Sequence, residues 1–249
     1  MAGQLDGKVA LITGAVRRGG RATALALARE GASIVINTRR SRDEAEKVRA
    51  EIEAIGRPAL VCLADITDEA AVARMFGDVE KHFGRVDILV NNAADRGVVP
   101  FEKMTTEQWH HIVDIVLDGA FFCTRAAIAH MLRLGWGRIV NISGVSHYAP
   151  SYSGRAHVSA AKAGLEGFTR ALAAEYAKRS ITVNCVCPGR IGGDRSATSS
   201  ELPDPSLIPP VGHLGVSADI AGAVHYFCLP TSSFVTGHTM HVNGGQVLL

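Results

Sequence analysis

The sequence predicts an α/β protein: a single-domain doubly wound sheet of about seven mainly parallel strands, with helices on both faces. Short apolar runs alternate with longer helical patterns along all 249 residues. The runs are continuous rather than alternating, which is how strands covered on both faces read. No composition break, Pro/Ser tract or charge run marks a linker, so residues 1–249 are read as one domain. At 47% hydrophobic and 20% charged, the chain can bury a large core.

The first strand, Val9–Ile12, breaks at Thr13-Gly14 into a loop that opens an alanine-rich helix near 20–30. Gly14 allows positive φ in that turn, Gly20 lets the helix approach the strand, and the unpaired N–H groups of the helix's first turn make a pocket for a diphosphate. Further strands are expected at Ser33–Asn37, Ala59–Leu63, Ile88–Val90, Arg138–Ile142, Thr182–Val186 and Thr239–Val242. Helices are expected near 41–55, 68–83, 105–133, 157–178 and 217–228. Strand and helix in turn imply right-handed parallel crossovers. Ligands of such sheets sit beyond the carboxyl ends of the strands. Thr13-Gly14, Asn37-Thr38, Ala64-Asp65, Asn91-Asn92, Ser143-Gly144 and Pro188-Gly189 should therefore line one edge.

A dinucleotide fold distinguishes the nicotinamide cofactors at the end of its second strand, where an acid would accept the ribose hydroxyls and repel a 2′-phosphate. That place reads Asn37-Thr38-Arg39-Arg40-Ser41, with no acid and two arginines, and Arg17 and Arg18 in the glycine loop add two more guanidinium groups. Planar guanidinium forks suit a phosphate, so the expected cofactor is NADP(H). Asp65 could accept from the adenine amino group or serve as a helix cap ahead of Thr67.

Composition excludes other classes. A net charge of +2 without a basic, aromatic-interleaved stripe gives no case for nucleic acid. No apolar run is long enough to span a bilayer and residues 1–6 lack signal-peptide features, so a cytoplasmic protein is expected. Cys62, Cys123, Cys185, Cys187 and Cys228 lie mostly among apolar neighbours and read as reduced thiols, with no disulfide and no metal.

The chain is identified as a member of the short-chain dehydrogenase/reductase family over essentially its whole length. The residues that carry the resemblance are Thr13-Gly14 with Gly20, Asp65, Asn91-Asn92-Ala93-Ala94, Arg138 to Ser143, Lys162-Ala163-Gly164, Asn184 with Pro188-Gly189, and Thr236 to Gly245. In wording it is most similar to 3-oxoacyl-acyl-carrier-protein reductases. Arg18 stands where the family usually has its middle glycine, and that loop, with Arg40-Ser41, resembles NADPH-dependent pteridine reductases. Both comparisons imply NADPH. The resemblance also implies a ribose-binding role for Lys162, backbone approach of Asn91 and Ala93 to the adenosine ribose, and contact of Pro188, Gly189 and Ile191 with the nicotinamide end. It implies a homotetramer, with the Phe234–Leu249 tail near one interface. Small and apolar residues such as Ala126, Ala127, Ala171 and Ala174 on the helices near 105–133 and 157–178 exceed what one sheet face requires.

The family's catalytic pattern is largely missing. Lys162 is present, but the tyrosine four residues earlier is Val158, the serine position matches Gly144, the asparagine position matches Val116, and a nicotinamide-contacting threonine is replaced by Gly193. Hydride transfer to a carbonyl needs a positioned acid. His157, beside the vacated tyrosine position, is the first candidate, although adjacent helical residues point about 100° apart. Ser159 lies nearer the lysine's face, Ser143 and Ser146 flank the lost serine, and Tyr148 and Tyr152 sit in the same loop. Two uses of the fold stay open: an NADPH-dependent reductase of a small carbonyl-like substrate with an altered donor, or a degenerate member that binds NADP(H) or a ligand as sensor, scaffold or partner subunit. A lyase or isomerase has no direct support. Residues 191–215, rich in Gly, Ser and Pro, match the family's substrate lid by position.

Overall fold

A computed structural model describes residues 3–149, 153–192 and 208–248. In chain order the elements are β1 (Val9–Ile12), α1 (Arg18–Arg29), β2 (Ser33–Thr38), α2 (Arg42–Ala54), β3 (Ala59–Leu63), α3 (Glu69–Phe83), β4 (Ile88–Asn91), α4 (Thr106–Val113), α5 (Gly119–Leu134), β5 (Gly137–Ile142), α6 (Ala156–Tyr176), β6 (Ile181–Pro188), α7 (Ser217–Cys228) and β7 (Thr239–Val242). Each expected strand is present, some longer by one to three residues. The seven strands pair in the order β3-β2-β1-β4-β5-β6-β7, and every pairing is parallel. The order reverses between β1 and β4, so a crevice opens at their carboxyl ends.

Continuous apolar strands demand cover on both sides, and two core clusters supply it. One gathers Leu27 of α1, Ile52 of α2 and Val224 and Phe227 of α7 against Ile12, Ile34 and Val140. The other gathers Met75 and Val79 of α3 and Ala127 and Met131 of α5 against Leu11, Leu89 and Ile139. All five cysteines are buried free thiols, and burial pushes Cys123, Cys185, Cys187 and Cys228 up to about 12. No helix among the described residues is long and apolar enough to cross a membrane.

The structure corrects the single helix expected over 105–133. A capping box of Thr105 and Gln108 starts α4, a π-helical turn spans Asp114–Asp118, and α5 follows. In an unbroken α-helix residues 112 and 120 would diverge by about 80°. The wider turn brings them back into line. Ile112, Val116 and Ala120 then form one stripe that packs on Val158, Ala161 and Leu165 of α6, a third apolar cluster. Of the expected lid, residues 193–207 lie outside the described residues. Its two ends are tied by a bridge between Ile191 and Gly215.

Candidate functional site

At the nucleotide end, packing dictates the glycines. A methyl group at Gly20 would lie 2.3 Å from the Gly14 carbonyl oxygen and 2.6 Å from Asn92 Nδ2, so α1 can meet β1 only with hydrogen there. Gly14 sits at φ +63°, with Ala93 Cα 3.1 Å from where its Cβ would be. Arg18, in the family's middle-glycine place, takes φ +46°. The end of β4 braces this loop. Asn92 Nδ2 donates to the carbonyls of Thr13 (2.8 Å) and Gly14 (3.0 Å), and Thr13 Oγ1 accepts from the amides of Asn92 and Ala93, each at 3.0 Å. Helix α1 begins after Arg17 with no side-chain cap and no acid in its first turn. Its positive end therefore faces the crevice without a neutralising side chain, as an anion site requires.

Arg17, Arg18, Arg39 and Arg40 are all exposed around that end. Arg39 Nη1 lies 3.7 Å from Asp65 Oδ2. Asp65 Oδ1 accepts from the Thr67 amide (3.1 Å) and hydroxyl (2.8 Å), closing a turn ahead of α3, whose cap is Asp68. Partial burial works to raise the Asp65 pKa, but the Thr67 hydrogen bonds and Arg39 together hold it below its ordinary value. Asn37 is buried, donates to the Ala64 carbonyl at 3.1 Å, and its own carbonyl accepts from Ala15 at 3.1 Å, which fixes the β2 end against the loop. Ser41 is the first residue before α2 and makes no capping bond. The Asn91 side chain turns inward to Asn141 (2.8 Å) and Thr124 (3.0 Å), leaving its main chain toward the crevice edge. At the end of β6, Gly189 donates to Val242 at 2.9 Å, and a methyl there would sit 2.7 Å from Asn243 Cα. Pro188, Gly189 and Ile191 thus run from the sheet edge to the lid's base.

At the β5 end, Lys162 is buried and its Nζ donates to the Ile142 carbonyl. Burial takes its pKa down to about 8; Cys185 and Cys187 oppose that fall, and Arg96 of the loop after β4 adds to it. Ser143 Oγ donates to Glu166 Oε1 at 2.7 Å. The Tyr148 hydroxyl donates to Glu166 Oε2, and His147 Nε2 lies 3.2 Å from Oε1. Burial would raise the Glu166 pKa, yet His147, Tyr148 and Ser143 hold it low. Tyr148, desolvated and bonded to that carboxylate, has its pKa pushed well up and keeps its proton. Its ring lies tilted against that of His147 (4.0 Å between centroids) and meets His241 edge-on (5.0 Å).

Glu166, at the centre of this polar cluster, is a residue that the sequence analysis does not single out. It stands four residues after Lys162, one turn along the same helix face, and that spacing was the available signal. His157 does not join the cluster. Its ring is buried, Nε2 lies 3.0 Å from where a Gly97 Cβ would be, and burial lowers its pKa, so the imidazolium that a donor needs is disfavoured. Ser159 donates to the Ser146 carbonyl at 3.1 Å. Val158 and Val116, which match the family's tyrosine and asparagine positions, belong to the same apolar cluster. At Gly144 a Cβ would meet only the Pro188 oxygen, 4.0 Å away. Tyr152 and Gly193 lie outside the described residues.

A family model described as Enoyl-(Acyl carrier protein) reductase matches residues 14–246. The chain is 38% identical over 245 residues to a 3-oxoacyl-[acyl-carrier-protein] reductase of Synechocystis, covering 98% of each. This chain belongs to the short-chain dehydrogenase/reductase family. It is an oxidoreductase by family. A second relative, 40% identical and covered to 98% on both sides, is the (2S)-[(R)-hydroxy(phenyl)methyl]succinyl-CoA dehydrogenase subunit BbsD of Thauera aromatica. Among solved structures, a short-chain dehydrogenase/reductase from Burkholderia xenovorans superposes with a TM-score of 0.91 at 33% identity, covering 98% of each chain. A structure described as a short-chain alcohol dehydrogenase from Sinorhizobium meliloti gives 0.90 at 34% identity, covering 97% of each.

Proposed function

We propose that this protein is an NADPH-dependent reductase of a small carbonyl-like substrate of the 3-oxoacyl kind, working as a cytoplasmic homotetramer. The observation that carries the cofactor assignment is the uncapped α1 end behind its braced glycine loop, ringed by Arg17, Arg18, Arg39 and Arg40. Gly14, Arg17, Arg18 and Gly20 would receive the diphosphate, and Arg39, Arg40 and Ser41 the 2′-phosphate. Asn37 holds the strand end, and Asp65 would accept from the adenine amino group. Asn91 and Ala93 would pass the adenosine ribose by main chain, Lys162 would hold the nicotinamide ribose, and Pro188, Gly189 and Ile191 would flank the nicotinamide. Bound there, NADPH would supply the hydride for the carbonyl carbon. Ser143 supports the β5 end through Glu166 rather than facing outward. The names of the 3-oxoacyl reductases support the substrate class, and the exposed Phe121 and Phe234 support assembly.

The test is NADPH consumption with acetoacetyl-coenzyme A as the 3-oxoacyl probe. Turnover with NADPH and little with NADH is expected; turnover with neither contradicts the reading. One observation favours a second reading, a degenerate subunit that binds but does not reduce: the packing of Val116 against Val158. It predicts no turnover in the parent and its appearance in Val158→Tyr combined with Gly144→Ser.

A further inference from the structure

Reduction leaves an oxyanion that must take a proton, and positions 158 and 144 no longer offer one. We propose that Lys162 is itself the proton donor, its buried ammonium at the end of β5 delivering a proton directly to the substrate oxygen. The proposal rests on the reductase reading above.

At the β5 end Ser143, Tyr148 and the His147 ring gather on Glu166, Ser146 offers only a neutral hydroxyl, and Lys162 stands apart from them on the Ile142 carbonyl. Tyr148 and Ser143 both give their protons to Glu166, and Ser159 gives its own to the Ser146 carbonyl. His157 is buried beside Gly97 and favours the neutral ring. Lys162 makes one hydrogen bond among the described residues, to the Ile142 carbonyl, so an ammonium with three hydrogens keeps donor capacity. The charged or titratable groups that act on it are Cys185 and Cys187 on β6 and Arg96 after β4. Both thiols stay neutral, being pushed up to about 12. Glu166, one turn on, already has two hydroxyl donors and the His147 ring around it. No carboxylate among the described residues therefore locks the lysine into a permanent ion pair, and a value of about 8 keeps it protonated at neutral pH yet able to let the proton go.

The step balances. As hydride reaches the carbonyl carbon, the carbon–oxygen π pair moves to oxygen. That oxygen forms an O–H bond as one N–H bond of Lys162 breaks, and the neutral amine left behind regains a proton from water. NADPH is the reductant and is oxidised by two electrons.

Two readouts test this. In protein with isotopically labelled lysine side chains and no cofactor, one resonance, absent in Lys162→Arg, should titrate near pH 8. With acetoacetyl-coenzyme A, kcat should hold steady below that pH and fall tenfold per unit above it. Lys162→Arg keeps the positive charge but not a labile proton. Arginine still offers donors to the ribose, so NADPH affinity should fall much less than kcat, which drops by roughly 10²-fold or more. Titration above pH 10, a pH-independent rate, full activity in Lys162→Arg, or a wild type that binds NADPH without turning over this probe would each overturn the donor role. Failure of the wild type to bind NADPH would sink the reductase reading first, and so separates the two.

Discussion

The two ends of one crevice have been treated differently by this sequence. At the nucleotide end the glycine loop is braced by Asn92 on two carbonyls and Thr13 under two amides, with glycine at 20, where a methyl would collide, and at 14, where φ is positive. At the β5 end the positions that match the family's tyrosine and serine are valine and glycine, and the polar side chains gather instead on Glu166 and its three neighbours. A dinucleotide cradle depends on main-chain geometry, which fixes its residues tightly. The donor of a proton is a single group whose position can shift along a helix once another acid lies within reach.

Substitutions that break the contrast rank by size. Gly20→Ala should be the largest, destabilising the fold by about 3 kcal/mol and abolishing NADPH binding, because the new methyl meets backbone rather than a flexible side chain. Urea denaturation reads the first effect; if the variant is as stable as the parent, the loop is not rigid. At the other end, Lys162→Met should stabilise the cofactor-free protein by about 2 kcal/mol, since a buried ammonium with one hydrogen bond opposes folding. The sign follows from the depressed folded pKa: the penalty is complete below about pH 8 and fades as pH rises toward the ordinary lysine value near 10.5, so the advantage of the variant in thermal melts should shrink across that window.

Glu166→Gln should cost about 1–2 kcal/mol at pH 7, as the donors of Ser143 and Tyr148 lose a charged acceptor. The folded pKa of Glu166 is depressed, so its contribution is present above the unfolded carboxylate value and is lost as pH falls through the folded one. The gap between parent and variant should therefore close in acid; a constant gap would mean that the carboxylate's charge is not what stabilises the cluster. The smallest effect sharpens the nucleotide end alone. Arg40→Ala should weaken NADPH by about tenfold and leave NADH unaffected, as a binding titration would show.

Much of this was readable in the chain. Continuous apolar strands and the Thr13-Gly14…Gly20 spacing placed the sheet and the crevice, because burial on both faces and steric exclusion write directly into residue type. The π turn at Asp114–Asp118 was not readable: one extra residue in a turn leaves an apolar stripe that still looks helical. His157 was favoured by adjacency to position 158, yet one step along a helix turned it toward Gly97. Glu166 was not readable, because its partners Ser143, His147 and Tyr148 come from a loop whose path only the fold shows.

The most direct measurement is a fluorescence titration of the unliganded protein with NADPH and, separately, with NADH. Saturable NADPH binding at least about tenfold tighter than that of NADH is the predicted result, with the arginines supplying the difference. Equal affinity for the two, or binding of neither, would contradict an intact nucleotide end and with it the contrast between the two halves of the crevice.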